Sequence, residues 1–248
     1  IFGRDSDGTP LFIDATYDEN RHSQFTQELR LTGSTGALDW ATGAFYYDAN
    51  DSNRGHSSLY PVFIYQQDAL DRQETTNWAV FAHGTWHVNA QFSVTGGLRY
   101  TDDQKDAIIY RAGYDGVVAI NNQFVPVSAT ETDYTISLDY KWTDTLMTYA
   151  KYSTGFKGGG FSPRPSTALQ TDPFDPEKLK TFELGVKSEL ADRSVRLNGA
   201  FFLSDYINQQ SFAQQLDSSG ANWFREINAG KAKIWGLEGE LQAEPVDN

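Results

Sequence analysis

Along most of this chain every second residue is uncharged, and few folds can use such a pattern. The clearest case lies in 75–88, where Trp78, Val80, Ala82, Gly84, Trp86 and Val88 alternate with Asn77, Ala79, Phe81, His83, Thr85 and His87. After Asn89-Ala90, the set Phe92, Val94, Gly96, Leu98 and Tyr100 alternates with Ser93, Thr95, Gly97, Arg99 and Thr101. Tyr134, Ile136, Leu138 and Tyr140 then oppose Asp133, Thr135, Ser137, Asp139 and Lys141, and Leu146, Thr148, Ala150 and Tyr152 oppose Tyr149, Lys151 and Ser153. The same rule holds for Phe182 to Val186, for Val195 to Leu203, for Trp235 to Leu241 and, near the start, for Phe25, Leu29 and Leu31. Successive side chains of a pleated strand point to opposite faces, so each stretch predicts a strand with one uncharged face. The segment 38–47 is apolar or small on both faces.

Short and long connections between these strands alternate. Tight breaks fall at Ser34-Thr35-Gly36, Asn89-Ala90, Trp142-Thr143-Asp144, Leu190 to Arg193 and 244–248, at intervals of about 55, 53, 48 and 54 residues. Between them the sequence predicts long loops over 1–22, 49–74, 103–128, 157–177 and 208–223. Hairpins with short turns at one end and long loops at the other are the layout of a transmembrane β-barrel.

Alternation alone would also suit a soluble sandwich. Two details favour lipid. The uncharged faces carry no charged residue, while nearly every opposite face does. Aromatics also bracket those faces at a fixed interval of eight residues: Trp78 and Trp86, Phe92 and Tyr100, Tyr134 and Trp142. Eight residues cover about 26 Å along a strand, or about 20 Å once tilted, close to the ~25 Å apolar band between two aromatic girdles. With Trp235, these residues are the expected lipid-facing girdle. No segment is apolar for the eighteen or so residues of a membrane helix. The fold expected is all-β: an antiparallel up-and-down barrel, partial, with about nine strands.

A formal charge of −13 argues against a nucleic-acid partner. Without cysteine there is neither a disulfide framework nor a thiolate metal site. The remaining chemical signals are weak, and neither a catalytic residue nor a cofactor is expected. In Gly155-Phe156-Lys157-Gly158-Gly159-Gly160 the lysine precedes the glycines, the reverse of a phosphate loop. His83 and His87 share a strand face about 13 Å apart, too far to chelate one ion. Asp48 to Asn53 lacks the glycine and the glutamate of a calcium loop. Glu238 and Glu240 lie about 7 Å apart on one strand, beside each other and not across a substrate. Asp14, Asp18, Glu19, Asp102, Asp103 and Asp106 read as solvated loop charges.

Taken together, several segments resemble the barrel of TonB-dependent outer-membrane receptors. These are Phe25-Thr26-Gln27-Glu28-Leu29-Arg30-Leu31, Gly97 to Lys105, Tyr149 to Phe161, Phe174-Asp175-Pro176-Glu177, Phe182 to Lys187, Asn228 to Lys231 and Gly236 to Glu240. The resemblance implies an integral protein of the Gram-negative outer membrane that imports a scarce nutrient complex (siderophore-iron, cobalamin, haem or oligosaccharide). Its partners would be lipid, a plug domain, further barrel strands and a TonB-type energy-coupling protein. Residues 1–248 read as a partial barrel domain, an internal piece with plug and remaining strands absent. Glu28, Arg30, Arg99, Asp139, Lys151, Glu183 and Lys187 would face the lumen. Tyr60, Tyr65, Lys157, Phe161, Arg164 and Trp223, with Phe63, Phe212, Arg54 and Arg72, would meet ligand in the loops. The other reading of the residues is a soluble acidic β-sandwich that binds or hydrolyses polysaccharide, its uncharged faces packed against a second sheet.

Overall fold

Uncharged alternate residues need a partner strand on each side for their backbone, and an antiparallel meander supplies both with the least connecting chain. A computed structural model of the protein, describing residues 2–5, 14–59, 65–113, 116–162, 165–216 and 222–244, has this arrangement. The strands are β1 (Phe2–Asp5), β2 (Asp14–Thr35), β3 (Leu38–Leu59), β4 (Tyr65–His87), β5 (Phe92–Gly113) and β6 (Val118–Thr143). They continue with β7 (Leu146–Lys157), β8 (Glu177–Leu190), β9 (Val195–Ile207), β10 (Gln210–Leu216), β11 (Asn222–Asn228) and β12 (Lys231–Ala243). Nine long strands, β2 to β9 and β12, form one antiparallel sheet with the four-residue β1 at its edge. Hairpin β10–β11 is a separate sheet inserted between β9 and β12, which pair directly.

Register brings the uncharged residues into line. One row crosses the sheet through Leu38, Trp86, Val94, Leu138, Ala150, Leu184, Phe201 and Leu237, each the ladder partner of the next. None of these positions is charged. The larger side chains of the row are exposed, up to 80% for Leu237. A sandwich would have buried this face. The only other sheet among the described residues is β10–β11, which lies against the segment 158–176, so the sandwich reading loses its second layer.

At the short-turn end, Gly36 takes φ +59°, a left-handed value open to glycine at little cost. The turn after β8 instead runs through Ala191, Asp192 and Arg193, all with positive φ, which stores about 1 kcal/mol or more per residue.

Above the aromatic rows the structure corrects the sequence reading. Among the described residues, most of the expected loops 1–22, 49–74 and 103–128 is strand. β2 to β6 continue straight through them: Asp14 pairs with Leu59, Leu59 with Tyr65, and Gln67 with Gly113. Asp48 to Asn53, weighed as a calcium loop, is plain strand within β3. Asp18, Glu19, Asp102, Asp103 and Asp106 likewise sit on strands, and Asp14 belongs to β2. The segment 208–223 holds most of hairpin β10–β11. The physical reason is that a strand leaving the bilayer is wet on both faces and keeps its ladder while losing its amphipathic period. Of the expected long connections, the described residues of 158–176 are irregular apart from a 3₁₀ turn at Ala168–Gln170 and an antiparallel bridge between Gly160 and Phe174.

Candidate functional site

The seven charged lumen candidates stand on the face opposite the uncharged rows, as their ladder positions require. Lys151 is paired with both Ser137 and Glu183, and Arg99 with both Phe81 and Asp133. Tyr149 donates its hydroxyl to Glu183 at 2.5 Å and lies flat over Gly185, where a Cβ would overlap the ring. Lys187 sits 5.5 Å above the same ring. Ser137 donates to Asp139 at 3.1 Å, while Arg99 bonds Thr101 at 3.1 Å and covers the Phe45 ring. Glu28 and Arg30 lie opposite Phe45 and Gly43. His87 bonds Ser93 and Asp39, and Glu240 accepts from Asn198. Near the short turns this face forms an open recess of about 980 Å³ lined by Lys141, Lys187, Glu189, Arg196 and Glu238.

The girdle residues stand on the other face, several of them in ring contact. Trp78 meets Tyr100 at 5.4 Å, Tyr134 meets Tyr152 at 5.9 Å and Phe25 meets Tyr46 at 6.4 Å. Toward the short turns, Tyr140 meets Trp142 at 4.7 Å and pairs with Phe92, with Trp86 close by in the ladder. Trp235, 70% exposed, pairs with Leu203.

The most enclosed chemistry lies at the long-loop end, on the polar face. Ala107, Ile109, Ile120 and Val125 form a buried cluster there, with Phe161 packed on it. Beside it the Arg111 guanidinium, 4% exposed, clasps both carboxylate oxygens of Asp71 and donates to the Tyr110 carbonyl. Burying an arginine is tolerable only with such a fork-to-carboxylate partner. Asp103 is also buried, held by Asn77 at 3.1 Å and Lys105 at 3.1 Å, which corrects its reading as a solvated charge. Lys105 reaches on to the Gly159 carbonyl at 2.8 Å. A Cβ at Gly158 would press on the Asp103 carboxylate and the Lys105 ammonium, so glycine lets the chain pass this close without displacing that ion pair.

That contact folds the segment 158–176 back over the wall. Hairpin β10–β11 clamps it from the other side. Gln210 bonds the Gly158 carbonyl, Gln170 the Phe224 carbonyl, Arg225 pairs with Asp172 at 2.7 Å, and the Glu226 amide bonds Ser162. Between β2–β5 and this folded segment lies a cavity of about 540 Å³. Asp18, Asn20, His22, Asp51, Asn53 and Gln73 line its strand side, and Phe161 and Pro165 its loop side. Its size falls within the ~300–1,000 Å³ range of small-molecule sites. In it Asn53 donates to Asn20 at 2.6 Å, and His22 bonds Asp51 at 2.6 Å and Gln24 at 3.1 Å. Those two bonds favour the protonated ring and raise the His22 pKa above the usual histidine value. On the reverse face of β2, Arg21 lowers the Glu19 pKa through a hydrogen bond and its charge.

Of the expected loop contacts, Phe161 lines this cavity, while Lys157 ends β7 opposite Glu177. Trp223 lies on β11 with Arg225 at 5.5 Å from its ring, and Phe212 is exposed on β10. Tyr60, Phe63 and Arg164 lie outside the described residues; Tyr65 opens β4 opposite Leu59. Sequence reasoning missed Asp71, Lys105 and Arg111. A signal existed: the buried Ala107 and Ile109 have odd numbers, whereas the membrane residues of the same strand, Phe92 to Tyr100, have even ones. No group of three or more potential metal ligands occurs among the described residues.

An antiparallel wall with one uncharged exposed face, one polar face and all its elaboration at one end defines an integral β-barrel wall. The family model for the TonB dependent receptor-like β-barrel matches residues 2–244, and the chain belongs to that family of outer-membrane proteins. Among curated relatives, the pesticin receptor of Yersinia enterocolitica is 26% identical over 227 residues, covering 90% of this chain and 32% of the relative. The catecholate siderophore receptor Fiu of Escherichia coli K12 is 23% identical, covering 84% and 30%. The chain thus spans about a third of the length of the curated relatives it matches. Among solved structures, the ferric yersiniabactin uptake receptor FyuA of Yersinia pestis superposes with a TM-score of 0.80 at 22% identity, covering 96% of this chain and 35% of that one. The copper transporter OprC gives 0.70 at 16%, covering 95% and 37%. At these identities the likeness shows the shared fold.

Proposed function

We propose that the chain is an arc of the wall of an active importer that takes up a small chelated nutrient, of which a ferric siderophore is the leading candidate. Residues 1–248 then act as a partial barrel domain, completed by further strands and a plug, and driven by a TonB-type energy-coupling protein. The observation that carries this reading is the cavity at the long-loop end of the polar face. It has the volume of a small-molecule site, and its walls present amides, carboxylates, a histidine and the basic groups of Arg21, Arg72, Lys105 and Arg111 beside one aromatic ring. Two of the similar proteins support the cargo class: one is a catecholate siderophore receptor and another a ferric yersiniabactin uptake receptor. The charged wall residues Glu28, Arg30, Arg99, Asp139, Lys151, Glu183 and Lys187 contact the plug or the passing ligand. Phe161 is the loop contact with the best placement. Lys157, Trp223, Tyr60, Tyr65 and Arg164 remain the other loop contacts of this proposal. No catalytic step is needed.

The test is uptake of radiolabelled iron by cells that depend on the full-length protein for ferric chelates. Uptake of a ferric catecholate chelate should vanish when the energy-coupling protein is deleted, and fall several-fold in a Phe161→Ala variant. Uptake that survives loss of energy coupling would sink the importer reading. A panel of ferric chelates that all enter equally well without the protein would sink the cargo class.

A further inference from the structure

Three histidines of this chain each bond an aspartate on a neighbouring strand. His22 of β2 bonds Asp51 of β3 at 2.6 Å, and His56 of β3 bonds Asp68 of β4 at 2.8 Å. His87 of β4 bonds Asp39 of β3 at 2.9 Å, at the short-turn rim. The first two pairs are direct ladder partners of the same chemistry. They stand on opposite faces of the wall, because Tyr17, the partner of His56 on β2, is five residues from His22. Of the three, only the His22 pair lines the cavity under the segment 158–176.

Register sets what faces the ring. The charged residues on its side of the wall are Asp18 of β2, Asp51 of β3, Asp71 of β4, and Lys105 and Arg111 of β5. Arg21, Arg72 and Glu74 border it in a groove of about 290 Å³ at the cavity's edge. The folded segment contributes Phe161 and Pro165, which carry no charge. Arg111 is tied to Asp71, Lys105 to Asp103 and Arg21 to Glu19. Of all these residue types only histidine changes charge near neutral pH, so the charge of the cavity follows the surroundings through His22. Its Nδ1 faces a carboxylate oxygen of Asp51 and its Nε2 the amide oxygen of Gln24 at 3.1 Å. Both are acceptors, so the ring satisfies them together only when both nitrogens carry hydrogen. A neutral ring keeps one bond and requires the Gln24 amide to turn over.

We propose that the cavity takes its cargo as an anion and that binding is linked to the uptake of one proton at the His22–Asp51 pair. The inference rests on the import reading and adds the regulation of that same site. A ferric tris-catecholate is an anion, so its charge holds the proton on His22 and the protonated ring holds the chelate. Each strengthens the other by the same factor, as linkage demands. Affinity is therefore complete in acid, falls as pH rises through the histidine range and then levels off.

The test titrates the full-length receptor in detergent with a ferric tris-catecholate chelate, following tryptophan fluorescence from about pH 6 to about pH 9. Over this range wild type should lose about tenfold in affinity relative to His22→Gln, the effect of one charge about 10 Å away near a protein surface. Titration of the chelate itself is common to both proteins and cancels in their ratio. His22→Lys, charged throughout, should run parallel to His22→Gln at higher affinity, and it keeps the test decisive where the glutamine disturbs the site. His56→Gln, the matched pair on the outward face, should keep the wild-type profile. A neutral ferric tris-hydroxamate should show no dependence on residue 22. Parallel profiles for wild type and both His22 variants overturn the proton linkage and leave the import reading standing. Equal flattening by His56→Gln overturns the site, and a hydroxamate that follows the same profile overturns the anion assignment. Chelate bound by none of these proteins overturns the import reading, and this inference with it.

Discussion

The same strands obey opposite packing rules below and above the aromatic row. Below it, in β5, the apolar residues Phe92, Val94, Leu98 and Tyr100 point outward and the charged Arg99 points inward. Above it, Ala107 and Ile109 are buried on the inner face, while Gln104 and Asp106 are exposed outward. Nothing in the backbone changes at the boundary, since the β4–β5 ladder runs unbroken from Gln67 to His87. What changes is the solvent. Lipid rewards an apolar outer face, whereas water on both sides forces apolar groups under the folded segment 158–176. A strand can therefore carry two amphipathic patterns of opposite parity, each correct for its own surroundings.

The sharpest way to break this contrast is at the buried ion pair of the upper half. Asp71→Ala leaves the Arg111 guanidinium buried without its carboxylate and should cost about 3–5 kcal/mol. Hydrogen exchange of the full-length protein should show the loss in the upper parts of β4 to β6 with the girdle rows unaffected. A loss spread evenly over the wall would deny that the two halves are separately packed. Next in size is an arginine placed outward at two heights. Leu138→Arg, midway between Tyr134 and Trp142, should cost about 2–4 kcal/mol in refolding into lipid vesicles. Ile108→Arg, outward but above the row, should stay within about 0.5 kcal/mol. Equal costs would erase the boundary.

A smaller effect is expected within the upper cluster itself. Ile109→Val removes one methylene from a side chain that is 1% exposed and should cost about 0.5–1.5 kcal/mol, read as faster proteolysis of the segment 158–176. The smallest concerns His22. Because its folded pKa is raised, its contribution to stability is complete below the ordinary histidine pKa and fades as pH rises through the folded value. NMR titration should place its midpoint above that of a free histidine, and Asp51→Asn should return it toward the ordinary value. An unchanged midpoint in that variant would remove Asp51 as the cause.

Legibility in the sequence followed the same boundary. The row from Trp86 to Phe201 could be read strand by strand because lipid demands an uninterrupted uncharged face, and period two has no competing explanation over eight residues. The short turns near residues 35, 90, 143 and 192 were legible to within a residue or two, while the break expected at 244–248 lies almost wholly outside the described residues. The stretches 49–59 and 65–74 were not, since Asn53, Asp71 and Gln73 alternate with residues equally polar. Those strands are held by backbone pairing with neighbours whose own pattern is equally mute. Arg111 was invisible for another reason: a lone arginine gives no sign that a carboxylate forty residues earlier will lie beside it.

By itself the sequence determined which residues share the uncharged face, where the chain reverses at the short-turn rim and that the wall is an antiparallel meander. These depend on local alternation and on a solvent that penalises every buried or lipid-exposed charge. Only the tertiary structure decided how far the strands rise beyond the membrane, how the glycines at 158–160 let the following segment fold onto Lys105 and Asp103, and which polar groups enclose the cavity. Such contacts join residues some forty to sixty positions apart, and their energy comes from burial and hydrogen bonds that exist only once the strands are in register.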